Sequence, residues 1–273
     1  MKWAGSKTKI LFRLDRYVPE KFEDYYEPFL GGGAMFFHLI YERDPFKAYL
    51  SDSNEELINT FIVVRDHVED LIHLLQEHKK EYKKNPEKYY YRIRDKLEPK
   101  DCIELAARTL FLNKTCYNGL YRVNKKGKFN VPFGKYEKPQ ICNIKTLRNA
   151  SKALQESKAE IRTLDYQEAL KTAKRNDFVY LDPPYHPVNS TSNFTSYTSE
   201  GFSPEDQKRL SNIFSNLIER GCKVVLSNSD TPLIHELYFD YLPEKVPVSR
   251  TISCIGEKRK GYTELIISNV PKH

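Results

Sequence analysis

The chain has 273 residues, 40% hydrophobic and 30% charged, a globular balance that, at roughly 100 to 200 residues per domain, allows one large domain or a domain carrying an insertion. No apolar run approaches the roughly 18 to 20 residues of a membrane helix, and the opening MKWAGSKTKI lacks the continuous apolar core of a secretory signal, so a cytoplasmic protein is expected. Five cysteines without a C-x-x-C pair argue against a disulfide framework and a zinc site; reduced thiols and no bound metal are expected. The 44 basic residues exceed the 37 acidic ones, and 19 tyrosines and 15 phenylalanines accompany them. A basic surface interleaved with aromatics suits a polyanion whose bases can be stacked upon.

In chain order, residues 25–29 read as a short buried strand that runs into Leu30-Gly31-Gly32-Gly33, and residues 34–42 have helical spacing. A second strand covers 48–52. Asp52 or Ser53 is placed to cap one long helix in which Leu57, Ile58, Phe61, Ile62, Val68, Leu71, Ile72 and Leu75 recur at three- and four-residue steps. From about 79 to 140 the chain is basic, aromatic and poor in strand pattern, with helices at 86–97 and 101–113 and then a loop punctuated by Gly and Asn. Alternation returns after residue 160, with strands at 161–164, 177–182 and 223–227 and a closing antiparallel pair near 249–254 and 263–268. Ser203-Pro204-Glu205-Asp206 opens the intervening helix with a serine cap, a proline at the first helical position and acids in the first turn. Strands separated by helices predict an α/β fold with a mostly parallel sheet. One sheet domain, 1–60 and 160–273, then flanks an inserted domain, 61–159.

A Gly-rich turn after a first strand lets backbone approach a ligand closely, and an acid ending the second strand can hold ribose hydroxyls. Gly31, Gly32, Gly33 and Asp52 fit that plan, although alone they also fit a flexible turn and a helix cap. Asp182-Pro183-Pro184-Tyr185 follows the apolar Phe178-Val179-Tyr180-Leu181, at the carboxyl end of a strand, where open α/β sheets bind ligands. Two prolines remove two backbone donors and stiffen the turn, leaving a carbonyl at Pro183, a carboxylate at Asp182 and an aromatic face at Tyr185. Those features suit a flipped base bearing an exocyclic amine. Such an amine is a poor nucleophile. Two acceptors gripping its N–H groups would aim its lone pair and stabilise the positive charge that develops.

Trp3-Ala4-Gly5-Ser6-Lys7, Glu27-Pro28-Phe29-Leu30-Gly31-Gly32-Gly33, Ser51-Asp52-Ser53-Asn54 and Asp182-Pro183-Pro184-Tyr185, in this order, closely resemble the Dam-type DNA adenine-N6 methyltransferases of the alpha group and D12 class. The match runs along essentially the whole chain. It includes Asn113 to Arg122 and Phe129 to Tyr136, which look like that family's DNA-reading hairpin, and Thr195-Ser196-Tyr197 with Gly201-Phe202; Ser6 stands where glycine is usual. The resemblance implies a Rossmann-like methyltransferase sheet and S-adenosyl-L-methionine as cofactor. It places Trp3, Lys7, Phe29, Gly31, Gly33, Asp52 and Asp182 at cofactor positions and Asp165-Tyr166 beside the donor's adenine. It also implies that Asp182, Pro183, Pro184 and Tyr185 hold the target adenine.

Between residues 114 and 138 seven basic residues face the single acid Glu137. Lysines there would supply salt-dependent affinity for phosphates, and base-edge contacts would supply specificity. An arginine in the major groove most often reads guanine. By resemblance Arg122 reads the G of a GATC-type site, Pro132 and Tyr136 lie near the other bases, Leu120 lies in the same reading loop, and Tyr117-Asn118 wedge the gap left by the flipped adenine. The expected partner is double-stranded DNA, with no membrane; a companion restriction endonuclease is compatible, and a monomer suffices for the chemistry. Two other readings remain open at this point: methylation of another amine (cytosine N4, RNA or a protein glutamine) and a catalytically silent DNA-binding regulator. A longer site containing GAT is also open.

Overall fold

The computed structural model describes residue 7 and residues 10–188, 202–248 and 262–272. Seven strands are present among them: β1 (Asp24–Glu27), β2 (Lys47–Asp52), β3 (Glu160–Thr163), β4 (Phe178–Leu181), β5 (Lys223–Ser229), β6 (Glu244–Val248) and β7 (Tyr262–Ser268). They form one sheet in the order β3-β2-β1-β4-β5-β7-β6. The first five are mutually parallel, and β7 runs antiparallel to both β5 and β6. The helices are α1 (Leu11–Leu14), α2 (Ala34–Glu42), α3 (Glu55–Asp66), α4 (Val68–Tyr82), α5 (Pro86–Lys96), α6 (Cys102–Thr115), α7 (Ile144–Glu156), α8 (Tyr166–Ala169), α9 (Pro204–Glu219) and α10 (Pro232–Leu237). This is the Rossmann-like α/β sheet that the motif order implies.

Every residue of β4 is buried. Phe178 and Tyr180 pack on one side with Tyr25, Ala48, Leu50 and Val225, and Val179 and Leu181 on the other with Tyr26, Val224 and Leu226. A continuous apolar run whose alternate residues enter two cores marks a central strand covered on both faces. Helices α2 and α3 cover the first face through Phe36, Leu39, Leu57 and Phe61, and α9 covers the second through Leu210, Phe214 and Leu217. The first core continues without a break into α4, α5 and α6 through Leu75, Tyr90 and Phe111. The helices lying between β2 and β3 in the chain are thus welded to the sheet. The chain builds β1, β2 and β3 outward and returns to place β4 against β1, so the two strands flank a topological switch point, where such sheets open a crevice at their carboxyl ends.

Several elements differ in detail from the sequence reading. The long helix is two helices that meet at His67, whose backbone (φ −133, ψ 39) leaves the helical region. Ser151 and Gln155 of α7 donate to the Arg65 carbonyl at 3.2 and 2.7 Å, so tertiary contacts satisfy the end of α3 and the periodicity passes through a break it cannot reveal. The cap of α3 is Asn54, which accepts from the Leu57 amide at 3.0 Å, and not Asp52 or Ser53. The antiparallel partner of β7 is β6, at Glu244–Val248; residues 249–254 lie outside the described residues. Pro247 disguised this strand, and it is tolerated because β6 is an edge. The expected helix after Ser203 is present with a full capping box to Asp206.

Asp177, wholly buried, ties the sheet at its amino end. Its carboxylate accepts from the Asp24 amide at 3.2 Å and the Lys174 amide at 2.8 Å, and burial pushes its carboxyl upward against those two donors. Asp177→Ala would strand both amides and should lower stability by about 1 to 3 kcal/mol. Urea unfolding with an unchanged m value reads this directly; a loss within experimental scatter would show that the carboxylate does not support the β1–β4 junction.

Candidate active site and reading hairpin

Because β1 to β4 are parallel, the segments that follow them emerge on one edge of the sheet. That edge carries Gly31–Gly33 after β1, Asp52 at the end of β2, Asp165 after β3 and Asp182 after β4. The Leu30 amide donates to the Ser51 carbonyl and the Gly33 amide to the Leu30 carbonyl, folding a tight turn against β2. Gly33 has φ +68, and a Cβ there would come within 3.2 Å of the Phe37 ring, so both the backbone and the space require glycine. Asp52 locks the turn. Its Oδ2 accepts from the Gly31 amide at 2.9 Å and its Oδ1 from the Asn54 amide at 3.0 Å. Burial pushes the Asp52 carboxyl up, opposed by these amides.

At the end of β4, Lys7 Nζ lies 2.9 Å from Asp182 Oδ1 and 4.4 Å above the Tyr185 ring. Ser227 Oγ donates to the same Asp182 oxygen at 2.9 Å, and the Tyr185 hydroxyl donates to Glu264 Oε2 at 2.9 Å. Burial raises the Asp182 carboxyl, with Lys7 and Ser227 opposing. Tyr185 is held well above the ordinary phenol range by burial and then by the charge of Asp182. The Pro184 carbonyl accepts from Gln207 Nε2 at 3.0 Å, and Asn228 Nδ2 donates to Gln207 Oε1 at 3.0 Å, so the double-proline turn is braced from α9 and β5. Pro183 is buried and Pro184 exposed. Beneath the turn, Glu27 accepts from the Tyr25 hydroxyl and the Phe36 amide. Burial, with the charges of Asp182 and Asp52 adding, pushes its carboxyl to about 8. Asp52 and Asp182 thus place two carboxylates at the crevice, the second paired with Lys7, while Glu27 beneath them is largely protonated at neutral pH.

An aromatic wall closes the β3 side, where the Tyr166 ring lies 5.1 Å from Phe29 and 5.8 Å from Phe202. Arg209 donates to the Tyr166 hydroxyl at 2.6 Å and lies 3.5 Å from Asp165, whose side chain caps α8.

The residues read as DNA-contacting gather in one loop. Bridges Cys116–Phe133 and Val123–Phe129 define a hairpin whose tip, at Gly127 (φ +72), is held by Asn124 Oδ1 accepting the Lys126 and Lys128 amides. The Tyr117 amide donates to the Pro132 carbonyl at 2.8 Å, and Asn118 adopts φ 55; both side chains are exposed. A Cβ at Gly134 would meet the Cys116 carbonyl and the Tyr136 ring at 2.5 Å, so that glycine lets Tyr136 lie against the hairpin base. Arg122 is exposed, with Nε donating to Asn130 Oδ1 at 2.7 Å and Nη2 to the Asn130 carbonyl at 3.3 Å. Leu120 packs half-buried on the core. The Tyr121 phenol lies among Glu56, Asn54 and Arg108, seating the hairpin on the start of α3, next to Asp52.

The structure therefore brings Lys7, Asp182 and Tyr185 into contact, joins Gly31 to Asp52 and Phe29 to Tyr166, and collects Tyr117, Asn118, Leu120, Arg122, Pro132 and Tyr136 in one hairpin. Trp3, Ser6, residues 195–197 and Gly201 lie outside the described residues. The sequence reading missed Ser227, Glu264, Asn130 and Gln207. Ser227 alone left a signal, in the polar Ser227-Asn228-Ser229 that ends an otherwise apolar strand. Cys102, Cys116, Cys142 and Cys222 are free thiols. Among the described residues no group of three or more His, Cys, Asp or Glu could hold a metal ion, and no helix is long and apolar enough to cross a membrane.

Residues 3–252 match the model of the D12 class N6 adenine-specific DNA methyltransferase family. The chain is 41% identical to a type II methyltransferase of Lactococcus lactis subsp. cremoris, over 98% of this chain and 94% of that one. It is 42% identical to a type II methyltransferase of Methanocaldococcus jannaschii, over 98% of each, and 35% identical to the DNA adenine methylase of Escherichia coli, over 97% of this chain and 93% of that one.

Proposed function

This chain belongs to the D12 class of N6 adenine-specific DNA methyltransferases, enzymes that act on DNA and require a methyl donor, and from that premise we propose that it moves the methyl of S-adenosyl-L-methionine to N6 of an adenine flipped out of GATC. The observation that carries this reading is the end of β4, where a half-buried carboxylate, a lysine and an aromatic face meet at the switch point of the sheet. A flipped adenine stacks on Tyr185 and offers its amine to Asp182 and the Pro183 carbonyl. These two acceptors aim the nitrogen lone pair and stabilise the positive charge it acquires. As the new N–C bond forms, the S–C bond breaks and its electrons stay on sulfur. Asp182, whose proton affinity burial has raised, accepts the proton the methylated nitrogen sheds and passes it to solvent. No covalent enzyme intermediate is required.

The crevice fits the donor in chemistry as well as position. S-adenosylmethionine supplies, when bound, a methyl carbon activated by a positively charged sulfur. The carboxylates of Asp52 and Asp182, at the carboxyl ends of β2 and β4, suit such a cation. Trp3, Lys7, Phe29, Gly31, Gly33 and Asp52 would hold it, with Asp165 and Tyr166 at its adenine end.

Residues 61–159 form the target-recognition part of this reading, and residues 1–60 with 160–273 the catalytic part. Lysines of the hairpin contact phosphates, Arg122 reads guanine, Leu120, Pro132 and Tyr136 border the other bases, and Tyr117-Asn118 fill the space the adenine leaves. A cytoplasmic monomer without a metal completes the proposal, and the type II names of two relatives support a companion restriction endonuclease.

Asp182→Ala should lower turnover by a factor of about 10² or more while DNA binding is largely retained; near-wild-type turnover would overturn the assignment. Arg122→Ala should cost about 1 to 3 kcal/mol of discrimination at one base pair, read from kcat/KM on duplexes substituted at each position. An unchanged preference at every position would remove Arg122 from base reading.

A further inference from the structure

Asp182 carries two donors, and both meet the same oxygen. Lys7 Nζ and Ser227 Oγ each lie 2.9 Å from Oδ1. Among the described residues Oδ2 receives no hydrogen bond, and the Asp182 side chain keeps 19% exposure. Lys7 is itself buried and reaches in from the start of the chain, and the proposed function assigns it to the donor. Ser227 is wholly buried in β5. Leu181 of β4 pairs in register with Leu226 of β5, so Asp182 and Ser227 are the next neighbours across the ladder, on the face that carries Tyr180 and Val225.

The hydroxyl is oriented in turn. Tyr180, buried in β4, has its phenol oxygen 3.3 Å from Ser227 Oγ, and burial keeps that phenol protonated. A serine has one proton to donate. Ser227 gives it to the carboxylate, so Tyr180 donates to Ser227 and the three groups form a directed chain from Tyr180 through Ser227 to Asp182. We infer that Ser227 is a positioning residue for the methyl transfer: it locks the Asp182 carboxylate by Oδ1, turns Oδ2 toward the target amine and holds the group ionised. The inference rests on the proposed role of Asp182.

The charged and titratable groups around Asp182 are Lys7, Glu27 and Tyr25 of β1, Tyr180 of β4, Tyr185 of the following turn and Glu264 of β7. Ser227 works with Lys7 in favouring the carboxylate, against burial. Its removal therefore raises the pH at which Asp182 takes up a proton, and activity on the acid side is lost at higher pH than in the parent enzyme.

The test compares the parent with Ser227→Ala, Ser227→Thr and Asp182→Ala by steady-state kinetics on duplex DNA across pH, with thermal melts confirming folding. Ser227→Ala should lose about tenfold or more in kcat, keep KM for DNA and for donor within about twofold, and show an acid limb of kcat moved to higher pH. Ser227→Thr, which keeps the hydroxyl, should restore the limb. A kcat within about twofold of the parent with an unmoved limb, or a loss confined to KM, overturns the inference, as does a variant that folds but shows no rescue by threonine. If Asp182→Ala collapses turnover and Ser227→Ala behaves like the parent, only the positioning role falls. If Asp182→Ala retains turnover, the reading of the site falls and this inference with it.

Discussion

Asp182 is a carboxylate kept at the end of a completely buried strand, and the surrounding architecture depends on how that charge is accommodated. An isolated ionised acid in such a place would protonate instead. Burial favours that outcome, and Lys7 and Ser227 oppose it directly. Replacing such a buried ion pair by apolar residues is often neutral or stabilising, so the pair is poor evidence of a stability device and better evidence of a site kept for chemistry. Strand β4 must be central for the acid to be buried, and β1 must lie beside it for the glycine turn to reach the same crevice.

Topology then places the other parts. The return of the chain from β3 to β4 opens the switch point, Asp52 fixes the glycine turn from the end of β2, and the hairpin is rooted on the next residues, Asn54 and Glu56, through Tyr121. Only Ser53 separates Asp52 from Asn54, the cap of α3. The arrangement supports a division of labour in which the crevice does the chemistry and the hairpin, standing on the same edge of the sheet, reads the duplex that delivers the base.

The elements legible in the sequence are those whose signals are local. Phe178 to Leu181 reads as a buried strand because all four residues are apolar, and the helix at Ser203 because its cap, proline and acids are consecutive. The turn at Gly31 to Gly33 and the Asp-Pro-Pro-Tyr segment are likewise contiguous. What escaped depends on residues distant in the chain. The break at His67 comes from Ser151 and Gln155, and β6 is readable only once Pro247 is known to lie on an edge. Ser227 acquires its meaning from the register of β5 against β4. Asp52 was open between a helix cap and a ligand acid until Asn54 took the cap, leaving its carboxylate to the glycine turn. Glu27 is visible as part of a motif, but its raised proton affinity arises from burial, with Asp182 and Asp52 adding, and folding alone brings these about.

The most direct test is transfer of labelled methyl from S-adenosyl-L-methionine to duplex DNA carrying GATC, run beside a duplex with that site scrambled and one bearing a longer palindrome that contains GAT. N6-methyladenine formed in the GATC duplex and absent from the scrambled one is the predicted result. Label that appears on another amine, or no transfer to any duplex by a protein that binds the donor, would contradict it.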